Sequence, residues 1–203
     1  MNIVVGVPLP PDYKADARTI SIVEGWAKLL EVHVIYKASP SPEEGRDKIV
    51  ADVMNMVPRP THVLFVDADV IPRPKTLTSL VSQDKDIVTG CVPICQKGIF
   101  KWNVSIGDGF DAVNIKELPL NPFKVKSCGF GVVLVKTEVF DRLEWPYWKN
   151  EYKPGLRVLG EDIYFSQKAI DAGFDIWCDP KVKCDHATRS SYLSIIRNLL
   201  SKE

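Results

Sequence analysis

The chain has 203 residues, 45% hydrophobic and 26% charged, a composition that suits a globular domain able to bury its core without disulfides. Lys plus Arg and Asp plus Glu both number 26, and this zero net charge argues against a partner recognised through bulk charge, such as duplex nucleic acid. No apolar run reaches the roughly 18 residues of a membrane-spanning helix, and MNIVVGVPLP lacks the basic start of a signal peptide, so a cytoplasmic location is expected.

NIVVGV (2–7) is a continuous apolar run closed by Pro8, Pro10 and Pro11, the pattern of a buried parallel strand. Ile22, Val23, Trp26, Ala27 and Leu30 form the stripe of a helix from about Ala15 to Leu30. VHVIY (32–36) is a second strand. SPSPEEG then turns into a helix with acidic residues at its start and Ile49, Val50, Val53, Met54 and Val57 on its apolar side. HVLFV (62–66) is the third strand, a short helix covers Lys75 to Val81, and DIVTGCV (86–92) is the fourth strand. This alternation predicts an α/β fold with a mixed, mainly parallel sheet flanked by helices.

From about 96 to 127 the helical period disappears, and FKWNVSI and DAVNI predict a small antiparallel excursion. VVLVK (132–136) is a further strand, followed by a short helix ending near EWPYW. Ile163, Gln167, Ile170 and Phe174 mark a late helix beginning at GED, and DIWCD (175–179) is a strand. An amphipathic C-terminal helix over 190–203 could pack on the sheet, join two copies or touch a membrane, and its few basic residues favour packing. The five cysteines lack the twin C-x2–4-C spacing of a structural zinc site and are expected as reduced core thiols.

The third strand runs into Asp67-Ala68-Asp69. Side chains alternate along a strand, so extended backbone would point both carboxylates to one side, at the carboxyl edge of the sheet where such folds bind ligands. Their repulsion costs on the order of 2–3 kcal/mol, which a divalent cation would remove. Hard oxygen ligands suit magnesium, manganese or calcium. Alternatively the pair caps the turn before Ile-Pro-Arg-Pro. LFVDADV also resembles the start of haloacid-dehalogenase-type phosphatases, with Asp67 as nucleophile. In those proteins, however, the motif usually opens the first strand, and later acidic motifs are lacking here.

Six segments in order resemble the GT-A-fold nucleotide-sugar glycosyltransferases, particularly their large inverting family-2-like group. They are the strand ending in Val7-Pro8, EEGRDKIVADVM, VLFVDADVIPRPKTLTSLV, DKDIVTGCVP, CGFGVVLVKTEVF and GEDIYFSQKAIDAGFDIWCDPKVKCDH. The resemblance implies one transferase domain over 1–203, with a nucleotide-binding half (1–95) and an acceptor half (96–189). It also implies a nucleoside-diphosphate sugar donor, UDP-sugar favoured, and an Mn2+ or Mg2+ ion held by Asp67, Asp69 and His186. Asp162 matches the catalytic base of inverting members, and Glu161 would orient the sugar or the loop.

Further expectations concern the donor. Pro8 and Tyr36 stand where strands exit towards a base and ribose, and Ala68 sits between the two aspartates. Arg46 would touch the nucleobase or diphosphate, or pair with Glu43 or Asp47 on its own helix. Gly129 would let backbone approach the sugar closely. Trp145, Tyr147, Trp148 and Tyr152 either face an acceptor or pack beneath a loop, and the loop 153–159 could order over the donor. A non-catalytic binder with the same fold remains an alternative, and the acceptor is unidentified.

Overall fold

Two hydrophobic clusters on opposite faces of one sheet explain why its strands read as unbroken apolar runs. Val4, Val63 and Phe65 point into one cluster, while their neighbours Val5, Leu64 and Val66 point into the other. The architecture is taken from a computed structural model in which residues 2–96, 98–107 and 111–187 are described. The expected helix over 190–203 lies outside the described residues.

In chain order the elements begin with β1 (Ile3–Leu9), α1 (Ala17–Leu30), β2 (His33–Ala38), α2 (Pro42–Asn55), β3 (His62–Val66), β4 (Val70–Ile71), α3 (Thr76–Val81) and β5 (Ile87–Cys91). The excursion comprises β6 (Pro93–Gln96), β7 (Ile99–Ser105), β8 (Ala112–Asn114), β9 (Phe123–Val125) and β10 (Ser127–Cys128). β11 (Val132–Lys136), α4 (Thr137–Arg142), β12 (Glu151–Lys153), β13 (Leu156–Leu159), α5 (Glu161–Asp171), β14 (Ile176–Lys183) and β15 (Asp185–His186) complete the order.

The large sheet runs β2-β1-β3-β11-β5-β14-β9. β2, β1, β3, β5 and β14 share one direction; β11 and β9 run against them. The carboxyl ends of the parallel strands therefore share one edge with the start of β11. α1 is capped by Asp16, whose Oδ1 accepts from Arg18 N, and α2 by Ser41, with Pro42 at its first position and Glu43 and Glu44 in the first turn. α5 has no side-chain cap, and Glu161 and Asp162 occupy its first turn.

Two local expectations are corrected, the end of the late strand and the loop 153–159. The late strand continues through Pro180 to Lys183, its pairing with β5 interrupted by a bulge between Asp179 and Lys183, where a proline is tolerated. α4 ends at Arg142, just before EWPYW, as expected. Residues 151–159 form the hairpin β12–β13, with Gly155 in the left-handed region at its turn (φ 75°).

Candidate functional site

The expectation of two aspartates side by side on one extended strand does not hold. β3 stops at Val66, and Val70 N donates to Asp67 O, turning the chain at once. The carboxylates consequently have different partners. Asp67 accepts from Arg46 Nη2 through both oxygens, at 3.0 and 3.2 Å. Asp69 lies 3.3 Å from His186 Nε2.

Arg46 organises the floor of the site. It sits in the second turn of α2 and is 1% exposed, with its guanidinium 5.2 Å from the Phe130 ring centroid. Nη1 donates to Asp162 Oδ1 at 3.2 Å and lies 3.6 Å from Glu161 Oε1. One buried cation thus ties the end of β3 to the start of α5, and it does not pair with Glu43 or Asp47. Glycine at position 45 permits this. A Cβ there would stand 2.8 Å from Ser39 Oγ and 3.0 Å from Pro8 Cβ, forcing the helix start away from the sheet edge.

Beneath these charges lies a packed aromatic layer. Phe130 meets Phe165 and Trp148 edge-on, and Trp148 stacks on Phe165 at 5.0 Å. Trp148 is buried and Tyr147 half-buried, so two of the four aromatics serve the core, while Trp145 and Tyr152 are exposed. Trp145 Nε1 donates to Asp47 Oδ2. Burial is the main reason that the Asp162 carboxyl is pushed up to about 7; the nearby Glu161 and Asp67 add to this, while Arg46 opposes it. Asp67 moves in the same direction, again from burial first, with Arg46 opposing.

The rim is more open. β15 pairs with β4 so that His186 faces Val70, and Ala187 N donates to Asp69 O. His186 Nδ1 lies 3.0 Å from Pro93 O. With Nδ1–H donating to that carbonyl, Nε2 is turned toward Asp69, as in metal-binding histidines steadied by a backbone oxygen. The Asp69 contact is also the chief reason that the imidazole titrates above its ordinary value.

Next to both regions opens a cleft of about 350 Å³, lined by Pro8, Pro40, Pro42, Asp67, Ala68 and Asp69 among others. Pro8, Ala68 and the two aspartates thus meet in one place. Tyr36 does not join them; its hydroxyl donates to Glu24 Oε1 on α1 at 2.6 Å. Gly129 sits under Asp162, where a Cβ would be 3.6 Å from Oδ2 and 3.3 Å from Asn103 Cβ. Asn103 was not foreseen from the sequence. It is buried, its Oδ1 accepts from Val92 N and its Nδ2 donates to Gly129 O, clamping the turn before β11. A signal was available in WNVS (102–105), where an asparagine interrupts an otherwise core-facing stretch.

Among the described residues no group of three or more His, Cys, Asp or Glu side chains is gathered closely enough to hold a metal. Asp69 and His186 form a two-donor site, and Asp67 is turned to Arg46 instead of completing a triad. Cys91 and Cys178 lie 3.5 Å apart between the adjacent strands β5 and β14.

Fold and site together define a mixed α/β protein whose acidic residues, buried arginine and cleft share the carboxyl edge of a mainly parallel sheet. Its overall fold is similar to that of A197 from STIV, with a TM-score of 0.66 at 17% identity over 93% of this chain and 86% of that one. The catalytic domain of Drosophila beta1,4galactosyltransferase 7, crystallised with xylobiose, gives a TM-score of 0.49 at 12% identity over 90% and 66%. A glycosyltransferase involved in glycosylation of the major capsid of PBCV-1 gives 0.41 at 14% over 70% and 63%. No family model matches the chain, and no curated protein matches it. No helix among the described residues is long and apolar enough to cross a membrane.

Proposed function

We propose that this chain is a metal-assisted GT-A-type glycosyltransferase that moves a sugar from a nucleoside diphosphate to an acceptor hydroxyl, with inversion. The observation that carries the reading is the buried Arg46 guanidinium joining Asp67, which lines the cleft, to Asp162 at the start of α5. The six ordered sequence segments support it independently.

In this reading the cleft between Pro8, Pro40 and Ala68 receives the nucleoside, and Asp67 stays anchored on Arg46 with its edge toward the ribose. Asp69 and His186 fit a divalent cation: one hard oxygen, one imidazole nitrogen aimed beside it, and room for phosphate oxygens to complete the shell. Such a cation would neutralise the charge growing on the departing diphosphate. Asp162 accepts the proton from the acceptor hydroxyl; a carboxylate titrating near 7 is matched to that task at neutral pH. Arg46 fixes the direction of that carboxylate, and the bare Gly129 leaves space beside it. Glu161 steadies the same guanidinium at longer range.

The test is a thermal-shift comparison of UDP-, GDP- and dTDP-sugars with and without manganese, followed by product detection. A metal-dependent shift with one donor, lost in Asp69→Ala, is expected. Asp162→Asn should retain that shift while turnover falls by about 10²–10⁴-fold. Failure of every donor to stabilise the protein would refute the reading. Binding without hydrolysis or transfer, unaffected by Asp162→Asn, would instead mark a non-catalytic binder.

A further inference from the structure

A second cavity, about 450 Å³, lies between the start of α3 and the end of β14. Arg73, Lys75, Lys181 and Lys183 line it, together with the hydroxyl-bearing Thr76 and Ser79, and among the described residues no carboxylate does. In a chain of zero net charge this concentration of one sign is notable. Its volume falls in the range that holds small ligands.

Local structure explains the convergence. Alternate residues of a strand face the same way, and the burial of β14 alternates at its end: Lys181 is exposed, Val182 buried, Lys183 half-buried. Val182 packs against Gly90, where any Cβ would lie 2.6 Å from its Cγ1, and this locks both lysines outward. On the other wall Arg73 N donates to Thr76 Oγ1, fixing the turn that presents Arg73 and Lys75. The nearest acid on β14, Asp179, is 3% exposed and already engaged, accepting from Lys181 N and Gln83 Nε2. None of the four cations forms an ion pair within 4.0 Å among the described residues. Lys183 Nζ instead rests 5.6 Å from the Trp102 ring centroid.

We propose that this groove is a binding site for a phosphate-bearing ligand. Four cations from two walls, with the half-buried Ser79 hydroxyl beside them, offer both the charge and the donors that a phosphate dianion or diphosphate accepts, and the arginine fork can engage two of its oxygens. The site is separate from the acidic cleft: the two share no lining residue. Both walls nevertheless continue directly into the cleft's rim, Arg73 following Asp69 and Lys183 preceding His186 by a few residues.

The chemistry has two possible sources, a soluble phosphate compound or the headgroups of an anionic lipid surface, and the experiment separates them. Pyrophosphate binding is measured by phosphorus NMR in EDTA, which removes any cation-dependent contribution from the cleft. Co-sedimentation with phosphatidylglycerol vesicles, against phosphatidylcholine controls, forms the second arm. Lys181→Glu with Lys183→Glu should weaken either response at least about tenfold, as should the opposite-wall pair Arg73→Gln with Lys75→Gln, and Asp69→Ala should leave it unchanged. A response only to pyrophosphate assigns a soluble ligand, and a response only to anionic vesicles assigns headgroups. Silence in both arms, or binding that both double variants retain, overturns the proposal. Two variant pairs on separate elements keep the test decisive if one of them fails to fold.

Discussion

The floor and the rim of the cleft hold similar residues in opposite circumstances. On the floor, Arg46 is sealed from water and shared by three carboxylates from β3 and α5; on the rim, Asp69 and His186 meet across two short strands with most of the aspartate exposed. Desolvation makes the floor contacts costly to break, so they are assembled before any ligand arrives. The rim contact is screened by solvent and worth little by itself. One region supplies fixed geometry, the other adaptable charge.

Arg46→Met should break that contrast most severely. Removing the guanidinium strands buried carboxylates, a loss of about 3 kcal/mol in urea unfolding. This sits at the low end for buried pairs because Asp67 and Asp162 retain 28% and 27% side-chain exposure. A loss below about 1 kcal/mol, as for an exposed pair, would show that the floor is not a structural anchor.

The floor should also set part of the pH response. Asp162 titrates at about 7 in the folded chain against an ordinary 3.8, so the native state holds more protons between those values and stability falls as pH rises from about 4 to 7. His186 acts in the same sense higher up: its contribution is present below its ordinary 6.5 and lost as pH passes its raised folded value. Asp47, pushed up to about 6 chiefly by burial, shares the sign. Urea unfolding of wild type and Asp162→Asn between pH 4 and 7 isolates the first component. The variant should show a flatter decline, and identical slopes would remove Asp162 from the account.

Smaller effects sharpen the comparison. Asn103→Ala leaves Val92 N and Gly129 O without their side-chain partner, for about 2 kcal/mol by thermal or urea unfolding. Gly129→Ala requires Asn103 to yield by a few tenths of an ångström, for about 1 kcal/mol. Asp69→Ala, at the rim, should alter stability by no more than about 0.5 kcal/mol while abolishing metal-dependent donor binding. A large stability loss there would erase the distinction between floor and rim.

Much of this molecule is legible in one dimension. Apolar runs located β1, β3, β5 and β11, because a strand covered on both faces must be apolar throughout. The loss of helical period after residue 96 gave the antiparallel pieces, and acidic residues opening α2 and α5 marked those helix starts. Asp67 and Asp69 stood out because carboxylates ending a buried strand need a reason, and Asp162 through the resemblance to GT-A glycosyltransferases.

Periodicity states which face of an element is buried, but it is silent on which buried polar groups meet. Arg46 could be placed on a helix, yet its partner Asp162 lies 116 residues away and is reached only because β1, β3 and β11 are neighbours in the sheet. The same long-range order set His186 beside Asp69, whereas Tyr36 turned to Glu24 on the neighbouring helix α1. It also drew Trp148 into the aromatic core and gave Asn103 its clamp. The sequence by itself located the main strands and helices of the large sheet and the carboxylates at their ends. Strand order decided their partners, because a buried charge takes its neutralising group from whatever packing brings within hydrogen-bond reach.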